Sequence, residues 1–315
     1  NGIYLYTGVQ AEYDLGPLKI VPSFAPGLYE PGDGKKLERF GPYLFSRPEP
    51  QAFWRQRLSS SIWNNASGSF LSASSLDDSE ISSKWALKSN LLDRWEMSYD
   101  NIKFYATPTP FRHLGFFPDQ SPHWDWASTK ITSFIKNPTY INPPKVLNLF
   151  AYSGLASLHA ASNGASVTHV DASKKAISYA FDNRNLSNLN TASIKYLTDD
   201  ALKFVNREIR RNNKYDAIIL DPPKYGRGPN GEKWELSHDL PILLNLLPKL
   251  LSDKPLFIIL NSYAIRSSSL SLHFLLKEVM EKYSGNVESG EISIIEEQDQ
   301  PRQISTAIFS RWESK

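Results

Sequence analysis

The sequence predicts an α/β fold after about residue 118, a mainly parallel sheet of seven strands, with a smaller β-rich region before it. In the later part, apolar runs rich in Val, Ile and Leu alternate with amphipathic helical segments. Strands joined by helices of about ten to fifteen residues form βαβ units and pair in parallel. In the earlier part, aromatic and β-branched runs are broken by Pro and Gly, which is typical of short strands and turns.

The N-terminal region, predicted at residues 1–105, is expected to be β-rich throughout. Its aromatic segments are compatible with base stacking in an RNA- or substrate-recognition domain, although buried strand core is their commoner use. A Ser-rich segment, residues 66–83, has the composition of a solvated loop. The strands expected here are Gly2–Tyr6, Leu18–Phe24 and Tyr43–Ser46, with further strand-like alternation over Leu92–Tyr105.

The second region, residues 106–315, is predicted to alternate helix and strand. A helix over 121–136 has four apolar residues on one face, namely Trp124, Ala127, Ile131 and Phe134. The predicted strands are 145–150, 166–171, 193–197, 215–221 and 255–261, with two terminal strands near 287–295 and 303–311. The remaining predicted helices are 155–163, 173–186, 201–211, 237–251 and 269–283.

Composition limits the chemistry available to the chain. Its 315 residues include no cysteine, which excludes disulfides, cysteine zinc sites, iron–sulfur clusters and thiolate nucleophiles. Lys and Arg number 35 against 33 Asp and Glu, a net charge of +2, so any basic binding surface must be local. No apolar run approaches the roughly 18 residues that a membrane span needs, so no membrane partner is expected. The expected location is intracellular, either bacterial cytoplasm or, if a targeting segment preceded Asn1, the mitochondrial matrix.

Four predicted strands end in small or polar residues. Open parallel sheets bind ligands beyond the carboxyl ends of their strands, so these tips form the candidate site. They are Asn148, Phe150, Ala151, Ser153 and Gly154 after the first strand, Asp171, Ala172 and Ser173 after the second, Asp200 and Ala201 after the third, and Asp221, Pro222, Pro223 and Lys224 after the fourth.

Each tip fits one part of an adenosyl cofactor. Gly154 lets the backbone approach a ligand closely at a helix N-terminus. Asp171 can accept hydrogen bonds from both ribose hydroxyls, and Asp200 can accept one from an adenine amino group. Asp221 and the two prolines place a carboxylate and a stiff turn where the reactive end of the cofactor would point. An Asp at a strand end also caps the following helix in many proteins, and that alternative stays open here.

The segments VLNLFAYSGLASLHAASNGASVTHVDASKKAISYAFDNRNLSNL, DDALKFV and YDAIILDPPKYGRG resemble the class I S-adenosylmethionine-dependent methyltransferases, which have a Rossmann-like sheet. Over about residues 104–311 the chain is similar to the bacterial large-subunit ribosomal RNA methyltransferases of the I and K type. The resemblance implies methyl transfer from S-adenosyl-L-methionine to an RNA base without a metal, with large-subunit ribosomal RNA or a ribosome assembly intermediate as partner. It also implies that Phe116, Asp119 and Gln120, in TPFRHLGFFPDQSPHWDW, belong to a motif that covers the cofactor.

The chain departs from that family at two positions. Leu155 stands where the family commonly has a second Gly, and Ser262 stands where relatives that methylate C5 of cytosine carry Cys. Methylation at C5 of a pyrimidine requires covalent attack on C6, which a thiolate performs and a Ser hydroxyl without an adjacent base does not. The sequence therefore argues against a 5-methylcytosine product.

Direct transfer onto an atom that already has a lone pair remains possible for such a chain. Guanine N7 is favoured because no proton must leave first. Exocyclic amines are less favoured, because an aromatic residue usually follows Pro-Pro and this chain has Lys224 there. Asp221 could orient the base or the cofactor and Lys224 could hold a phosphate, the alternative for Lys224 being a solvated loop lysine.

Basic residues recur at two places that are candidates for RNA contact. The helix after the third strand carries Lys203, Arg207, Arg210 and Lys214 at helical spacing, which could neutralise phosphates or merely form a solvated face. The segment 225–234 contains Arg227 and Lys233 among glycines and is predicted to form a mobile lid over a base-binding pocket.

Two other functions remain open from the sequence. One is methylation of a protein or small molecule, and the other is a methyltransferase-like scaffold that binds RNA or a ribosomal particle without catalysis. Asp171, Asp200 and Asp221 argue against lost catalysis, whereas Leu155 leaves that possibility open.

Overall fold

The computed structural model describes residues 3–4, 19–71, 84–139, 141–263, 265–297 and 300–315. These residues form two compact units. The nucleotide-fold unit comprises the described residues within 1–21, 122–292 and 306–315, and the β-rich unit comprises those within 22–121 and 293–305. The division at residues 121 and 122 lies later in the chain than the predicted boundary at 105, and a C-terminal segment belongs with the β-rich unit. The predicted roles of the two regions remain predictions.

The early part of the chain is built mainly from strands, the longest of which has 14 residues. They are β1 (Ile3–Tyr4), β2 (Lys19–Gly32), β3 (Lys35–Phe40), β4 (Tyr43–Pro48), β5 (Gly68–Leu71), β6 (Lys84–Leu87), β7 (Trp95–Tyr99) and β8 (Ile102–Ala106), with one short helix, α1 (Ser60–Asn64). In the β-rich unit, β2, β3 and β4 pair antiparallel, β4 and β5 parallel, and β7 and β8 form a hairpin. Strand β5 lies inside the segment predicted as a Ser-rich loop, and residues 72–83 of that segment, like most of Gly2–Tyr6, lie outside the described residues.

Aromatic rings fill the interior of the β-rich unit. Phe40 packs edge-on against Phe45 and Phe116, and Phe104 packs against Phe116 at 4.7 Å between ring centroids. These rings, with Trp95, are buried, which confirms the use of this aromatic content as strand core.

The rest of the chain alternates helix and strand as predicted. The helices are α2 (Ser121–Lys136), α3 (Leu155–Ser162), α4 (Lys174–Leu186), α5 (Ala201–Arg210), α6 (Leu236–Leu246) and α7 (Ser269–Val279). The strands are β9 (Lys145–Leu149), β10 (Ser166–Asp171), β11 (Ile194–Thr198), β12 (Ala217–Leu220), β13 (Tyr225–Arg227), β14 (Lys233–Glu235), β15 (Phe257–Ser262), β16 (Gly285–Glu296) and β17 (Gln303–Ser314).

Seven of these strands form the sheet of the nucleotide-fold unit in the order β11, β10, β9, β12, β15, β17, β16. The first five are parallel, and β17 pairs antiparallel with β15. The chain moves outward from β9 in one direction and from β12 in the other, so the topology reverses between these two strands. Ligands of open α/β sheets bind at this point, beyond the carboxyl ends of the strands. The predicted α/β class is confirmed.

Helix α2 and the central strands show why the sequence pattern is informative. The four predicted apolar residues of α2 are all buried, and strands β9, β12 and β15 bury nearly every side chain, as parallel strands covered on both faces do. None of the described helices is long and apolar enough to cross a membrane.

Candidate active site

Two chain segments meet at the point where the sheet topology reverses. One, residues 150–154, follows β9 and is called the cofactor loop after its predicted role. The other, residues 221–224, follows β12 and is called the transfer turn, also after its predicted role. Strands β9 and β12 are hydrogen-bonded neighbours, with Leu149 opposite Leu220, so the two segments leave the sheet side by side. The topology thus brings the first and fourth predicted tips together.

The cofactor loop has an unusual backbone. Phe150, Tyr152 and Gly154 have positive φ angles of 57°, 45° and 86°. Non-glycine residues rarely adopt this conformation, and where they do so they often belong to functional sites. At Gly154 a Cβ atom would lie 2.8 Å from the Cβ of Ala180, so both backbone conformation and close packing require glycine there. The predicted role of Gly154 as the close-approach residue at the start of α3 fits this geometry.

Neighbouring elements hold the loop in this shape. The carboxylate of Asp171, at the end of β10, accepts hydrogen bonds from the backbone N–H groups of Tyr152 and Ser173, each at 2.8 Å. Burial raises the pKa of Asp171, while these two N–H donors act to lower it. The amide of Asn183 in α4 donates to the carbonyl of Ser153 at 2.9 Å. Asp171 is therefore a support of the loop as well as a candidate ligand of the cofactor.

A buried chain of polar side chains lies beneath the loop. Asn148 donates to the hydroxyl of Ser157 at 2.9 Å, and that hydroxyl lies 3.0 Å from Nδ1 of His169. Asn148 and His169 are 3% and 0% exposed, and burial lowers the pKa of His169 to about 3. Asn148 thus ties β9 to α3 from inside, which indicates a positioning role, and its contact with the cofactor stays a prediction.

Residues at the second and third strand tips cap the helices that follow, which is the alternative to cofactor contact that the sequence left open. The Ser173 hydroxyl accepts from the backbone N–H of Ala176 at 3.2 Å, and the Asp200 carboxylate accepts from the backbone N–H of Lys203 at 2.9 Å. Ala172 and Ala201 flank these caps, half-buried and buried respectively. An N-cap carboxylate keeps further lone pairs, so capping leaves acceptor capacity at Asp200.

The transfer turn is held from two sides by residues that sequence reasoning missed. The side-chain amide of Asn261, at the end of β15, donates to Oδ1 of Asp221 at 2.8 Å. The indole N–H of Trp234 donates to the carbonyl of Pro223 at 2.7 Å, and its ring lies 4.8 Å from the ring of Phe150. Trp234 therefore connects the transfer turn to the cofactor loop. The presence of a large aromatic residue inside a Gly-rich segment was the signal that could have found Trp234.

The segment predicted to form a mobile lid folds as a β-hairpin, and its role as a lid stays a prediction. Strands β13 and β14 pair antiparallel from Tyr225 opposite Glu235 to Arg227 opposite Lys233. The Lys203 ammonium lies 2.5 Å from a carboxylate oxygen of Glu232 in the hairpin turn, and this contact lowers the pKa of Glu232 to about 2. Arg227 and Lys233 are exposed on the two hairpin strands.

The basic residues on α5 and just after it mostly contact other groups of the protein. Arg207 pairs with the Asp199 carboxylate, and the Lys214 ammonium donates to the carbonyl of Lys249 at 2.8 Å. Lys203 pairs with Glu232 as described above. Arg210 is exposed and forms no ion pair with any residue that the structure describes. These intramolecular contacts account for most of the basic residues without any contact to RNA. RNA binding by these residues stays a prediction, and the contacts argue against it.

Three predicted cofactor residues belong to the β-rich unit. Phe116 is 2% exposed and packs in its aromatic core, as described above. Asp119 and Gln120 lie in a short 3-10 helix, Pro118–Gln120. The buried position of Phe116 indicates a structural role for its ring.

The two residues that depart from the resembled family are both buried. Leu155 is the first residue of α3 and is 4% exposed, so the loop accommodates it by directing its side chain into the interior. Ser262 is 0% exposed, and its hydroxyl has no hydrogen-bond partner among the described residues. In the described part of the chain there is also no group of three or more His, Asp or Glu side chains arranged to hold a metal ion.

Known proteins resemble this chain along much of its length. A crystal structure of a S-adenosylmethionine-dependent methyltransferase from Agrobacterium tumefaciens has 42% sequence identity and a TM-score of 0.85, covering 94% of this chain and 92% of that one. Residues 122–232 match the family described as conserved hypothetical protein 95.

Ribosomal RNA methyltransferases resemble a shorter stretch. The ribosomal RNA large subunit methyltransferase K/L of Shewanella frigidimarina is 39% identical over 109 residues, which are 34% of this chain and 15% of that protein. A candidate ribosomal RNA large subunit methyltransferase of Methanocaldococcus jannaschii is 34% identical over 119 residues, which are 38% of this chain and 29% of that protein. The similarity thus spans less than a third of the length of either protein.

Proposed function

The chain belongs to the class I S-adenosylmethionine-dependent methyltransferases, and we propose that it methylates a base of large-subunit ribosomal RNA. The family follows from the Agrobacterium relative, which is similar over nearly the whole chain. The RNA substrate is suggested by the two relatives named as ribosomal RNA large subunit methyltransferases. The single structural observation that supports catalysis is the pairing of the cofactor loop and the transfer turn at the topological reversal. A compartment that contains ribosomes, bacterial cytoplasm or mitochondrial matrix, is the expected location.

The residues of the cofactor loop fit S-adenosylmethionine. Gly154 leaves a space that a Cβ would fill, at the N-terminus of α3 where backbone N–H groups face a ligand. Asp171 accepts one N–H on each carboxylate oxygen, and each oxygen keeps a lone pair for a ribose hydroxyl. Asp200 would accept from the adenine amino group with the oxygen that does not cap α5. When bound, S-adenosylmethionine supplies a methyl group on a positively charged sulfur.

The residues of this chain would act mainly by positioning. Asp221 accepts a hydrogen bond from Asn261, which holds its carboxylate in place, so Asp221 can orient a base that approaches the transfer turn. Trp234 fixes Pro223 and closes the space between turn and loop. Lys224 is exposed and can hold a phosphate of the RNA strand.

The acceptor that best suits these residues is a ring nitrogen, with N7 of guanine favoured over C5 of cytosine. A C5 acceptor needs a thiolate nucleophile, and the chain contains no cysteine. The hydroxyl at the corresponding position, Ser262, is fully buried and cannot reach a base without a rearrangement of β15. Guanine N7 carries an exposed lone pair and loses no proton on methylation, so no general base is required of the site.

Nucleoside mass spectrometry of ribosomal RNA from a deletion strain tests the proposal. We expect the deletion strain to lose one N7-methylguanosine. The wild-type gene and the Ser262→Ala variant should restore it, and the Asp221→Ala variant should not. Loss of a 5-methylcytidine, or a stable covalent complex with RNA containing 5-fluorocytosine, would contradict the N7 assignment. If the deletion strain has unchanged ribosomal RNA and the purified protein methylates a peptide or a small molecule, the RNA substrate is contradicted. Binding of S-adenosylmethionine without turnover on any substrate would favour a scaffold.

A further inference from the structure

A cavity lies directly beside the transfer turn, on the side of α6 and α7. Its volume is about 440 Å³, within the range of pockets that bind small ligands. Leu240 of α6 and Leu272 and Leu275 of α7 form its apolar floor, and Lys224 and Tyr225 form the wall shared with the transfer turn. The cavity could not be predicted from the sequence, because its lining comes from three separated segments.

The rim of the cavity carries aromatic and basic groups. Tyr225 is 64% exposed, and the Lys224 ammonium lies 5.3 Å from the centre of its ring. Arg266, also exposed, lines the cavity from the segment after β15. The lining thus has two cations, against a single carboxylate, Glu235, which accepts a hydrogen bond from Ser237 at 3.0 Å. Exposed rings with adjacent cations are how proteins hold single-stranded nucleic acid, by stacking a base and neutralising its phosphate.

We infer that this cavity, called here the flanking-base pocket, binds the base of the nucleotide next to the one that is methylated. The inference rests on the proposed action on RNA. Tyr225 would stack on that base, the leucine floor would cover its apolar face, and Lys224 and Arg266 would hold the adjoining phosphates.

The position of the pocket argues for a flanking nucleotide. Lys224 is at once the last residue of the transfer turn and a wall of the pocket, so the turn and the pocket are close enough to hold successive nucleotides of one strand. Asp221, which would orient the reacting base, is not part of the lining. An acidic peptide could also pair with Lys224 and Arg266. The aromatic ring of Tyr225 and the leucine floor, however, fit the flat face of a base better than they fit the side chains of a peptide.

The pocket can be filled without touching the transfer turn. Leu275→Trp places a larger ring in the cavity from a half-buried position, while Leu270→Trp changes a half-buried residue of the same helix that is not in the lining and serves as the control. Tyr225→Ala removes the stacking surface, and Tyr225→Phe preserves it. Steady-state methylation of ribosomal RNA and fluorescence anisotropy of a short mixed-sequence RNA strand are measured for each variant.

Leu275→Trp and Tyr225→Ala are expected to raise the RNA KM and Kd about tenfold or more, with the loss falling on KM and not on kcat, because stacking of one base typically contributes that much. Tyr225→Phe and Leu270→Trp should behave as wild type, and the Kd for S-adenosylmethionine should not change. A loss confined to kcat would mean that the pocket holds the target base and would overturn the inference. Unchanged RNA affinity in both variants would overturn it as well. If wild type methylates no RNA, the proposed function fails, and the anisotropy series still decides whether the pocket binds a base.

Discussion

The Asn261 side chain donates a hydrogen bond of 2.8 Å to the carboxylate of Asp221, across the ends of two neighbouring parallel strands. Asn261 is 1% exposed, and its amide oxygen has no hydrogen-bond partner among the described residues. Because the carboxylate must receive an N–H, the orientation of the amide is fixed. His123, also buried, lies close enough for Asn261 to act on its pKa. Asn261 is therefore a positioning residue for Asp221.

Asn261→Ala should lower kcat by roughly 10-fold to 10²-fold, because a misplaced reacting group costs about that much. KM for S-adenosylmethionine should change little, since the Asn261 amide is directed to the transfer turn and not to the cofactor loop. Steady-state kinetics measures both. Asn245→Ala, on the exposed face of α6, is the matched control. Equal losses in both variants would remove the positioning role.

Gly154→Ala should weaken binding of S-adenosylmethionine at least tenfold. The substitution puts a Cβ at φ 86° and 2.8 Å from the Cβ of Ala180. Isothermal calorimetry measures the affinity. The double variant Gly154→Ala with Ala180→Gly removes the closest overlap but leaves the backbone conformation strained, so it should recover only part of the affinity. Full recovery would mean that packing alone, and not the left-handed backbone, requires glycine.

Asp171→Ala should reduce both cofactor affinity and thermal stability, because it removes the acceptor of two backbone N–H groups. Each charge-assisted bond typically contributes about 1.5–3 kcal/mol. Asp171→Asn keeps one acceptor oxygen but turns an NH2 donor toward the second backbone N–H, so it should restore only part of the stability and less of the affinity. Calorimetry and thermal unfolding measure the two effects. A wild-type affinity for Asp171→Ala would contradict contact with the ribose.

RNA affinity should depend on the hairpin and not on the inner cations of α5. Arg227→Ala with Lys233→Ala should lower the slope of log affinity against log salt by about 0.7 for each phosphate that is no longer neutralised. Arg207→Ala should lower stability and leave the slope unchanged, because Arg207 pairs with Asp199. Filter binding over a range of salt concentrations measures the slope. A reduced slope for Arg207→Ala would mean that α5 does contact RNA, which contradicts this prediction.

Acid should destabilise the protein through its buried histidines. Burial lowers the pKa of both His123 and His169 to about 3, whereas an unfolded histidine titrates near 6.5. The unfolded chain therefore binds more protons between these values, and the free energy of unfolding should fall by about 1 kcal/mol per pH unit for each residue as pH drops below 6.5. His169→Gln should flatten this dependence in chemical denaturation. Asn245→Ala, at an exposed position without a titrating group, should not.

Local periodicity predicted most of the nucleotide-fold unit, and long-range contacts decided what it missed. Helix α2 and strand β10 have the predicted bounds, because one is a regular apolar stripe and the other a buried run. The short β13–β14 hairpin depends on the Trp234 bond to Pro223 and on Lys203 paired with Glu232. Neither contact can be read from a glycine-rich segment.

The candidate site shows the same division. Asp171 and Asp221 lie at strand ends, and Gly154 lies in the loop that follows a strand. Such positions can be predicted from the sequence, because predicted parallel strands place their carboxyl ends at the ligand site. Asn183 and Asn261 support the site from 30 and 40 residues away from their partners, and an asparagine in a helix or strand carries no local sign of such a task.

The last two strands limit how this protein can be taken apart. The described residues of segment 293–305, which include the end of β16 and the start of β17, belong to the β-rich unit. There Arg302 forms ion pairs with Glu30 and Glu296, both fully buried side chains. A fragment that stops at residue 121 would leave the Glu30 carboxylate in the interior without its cation, which is strongly destabilising. The β-rich unit therefore cannot be exchanged between related enzymes at a single junction. A working chimera needs a second junction in the C-terminal segment, between β16 and β17.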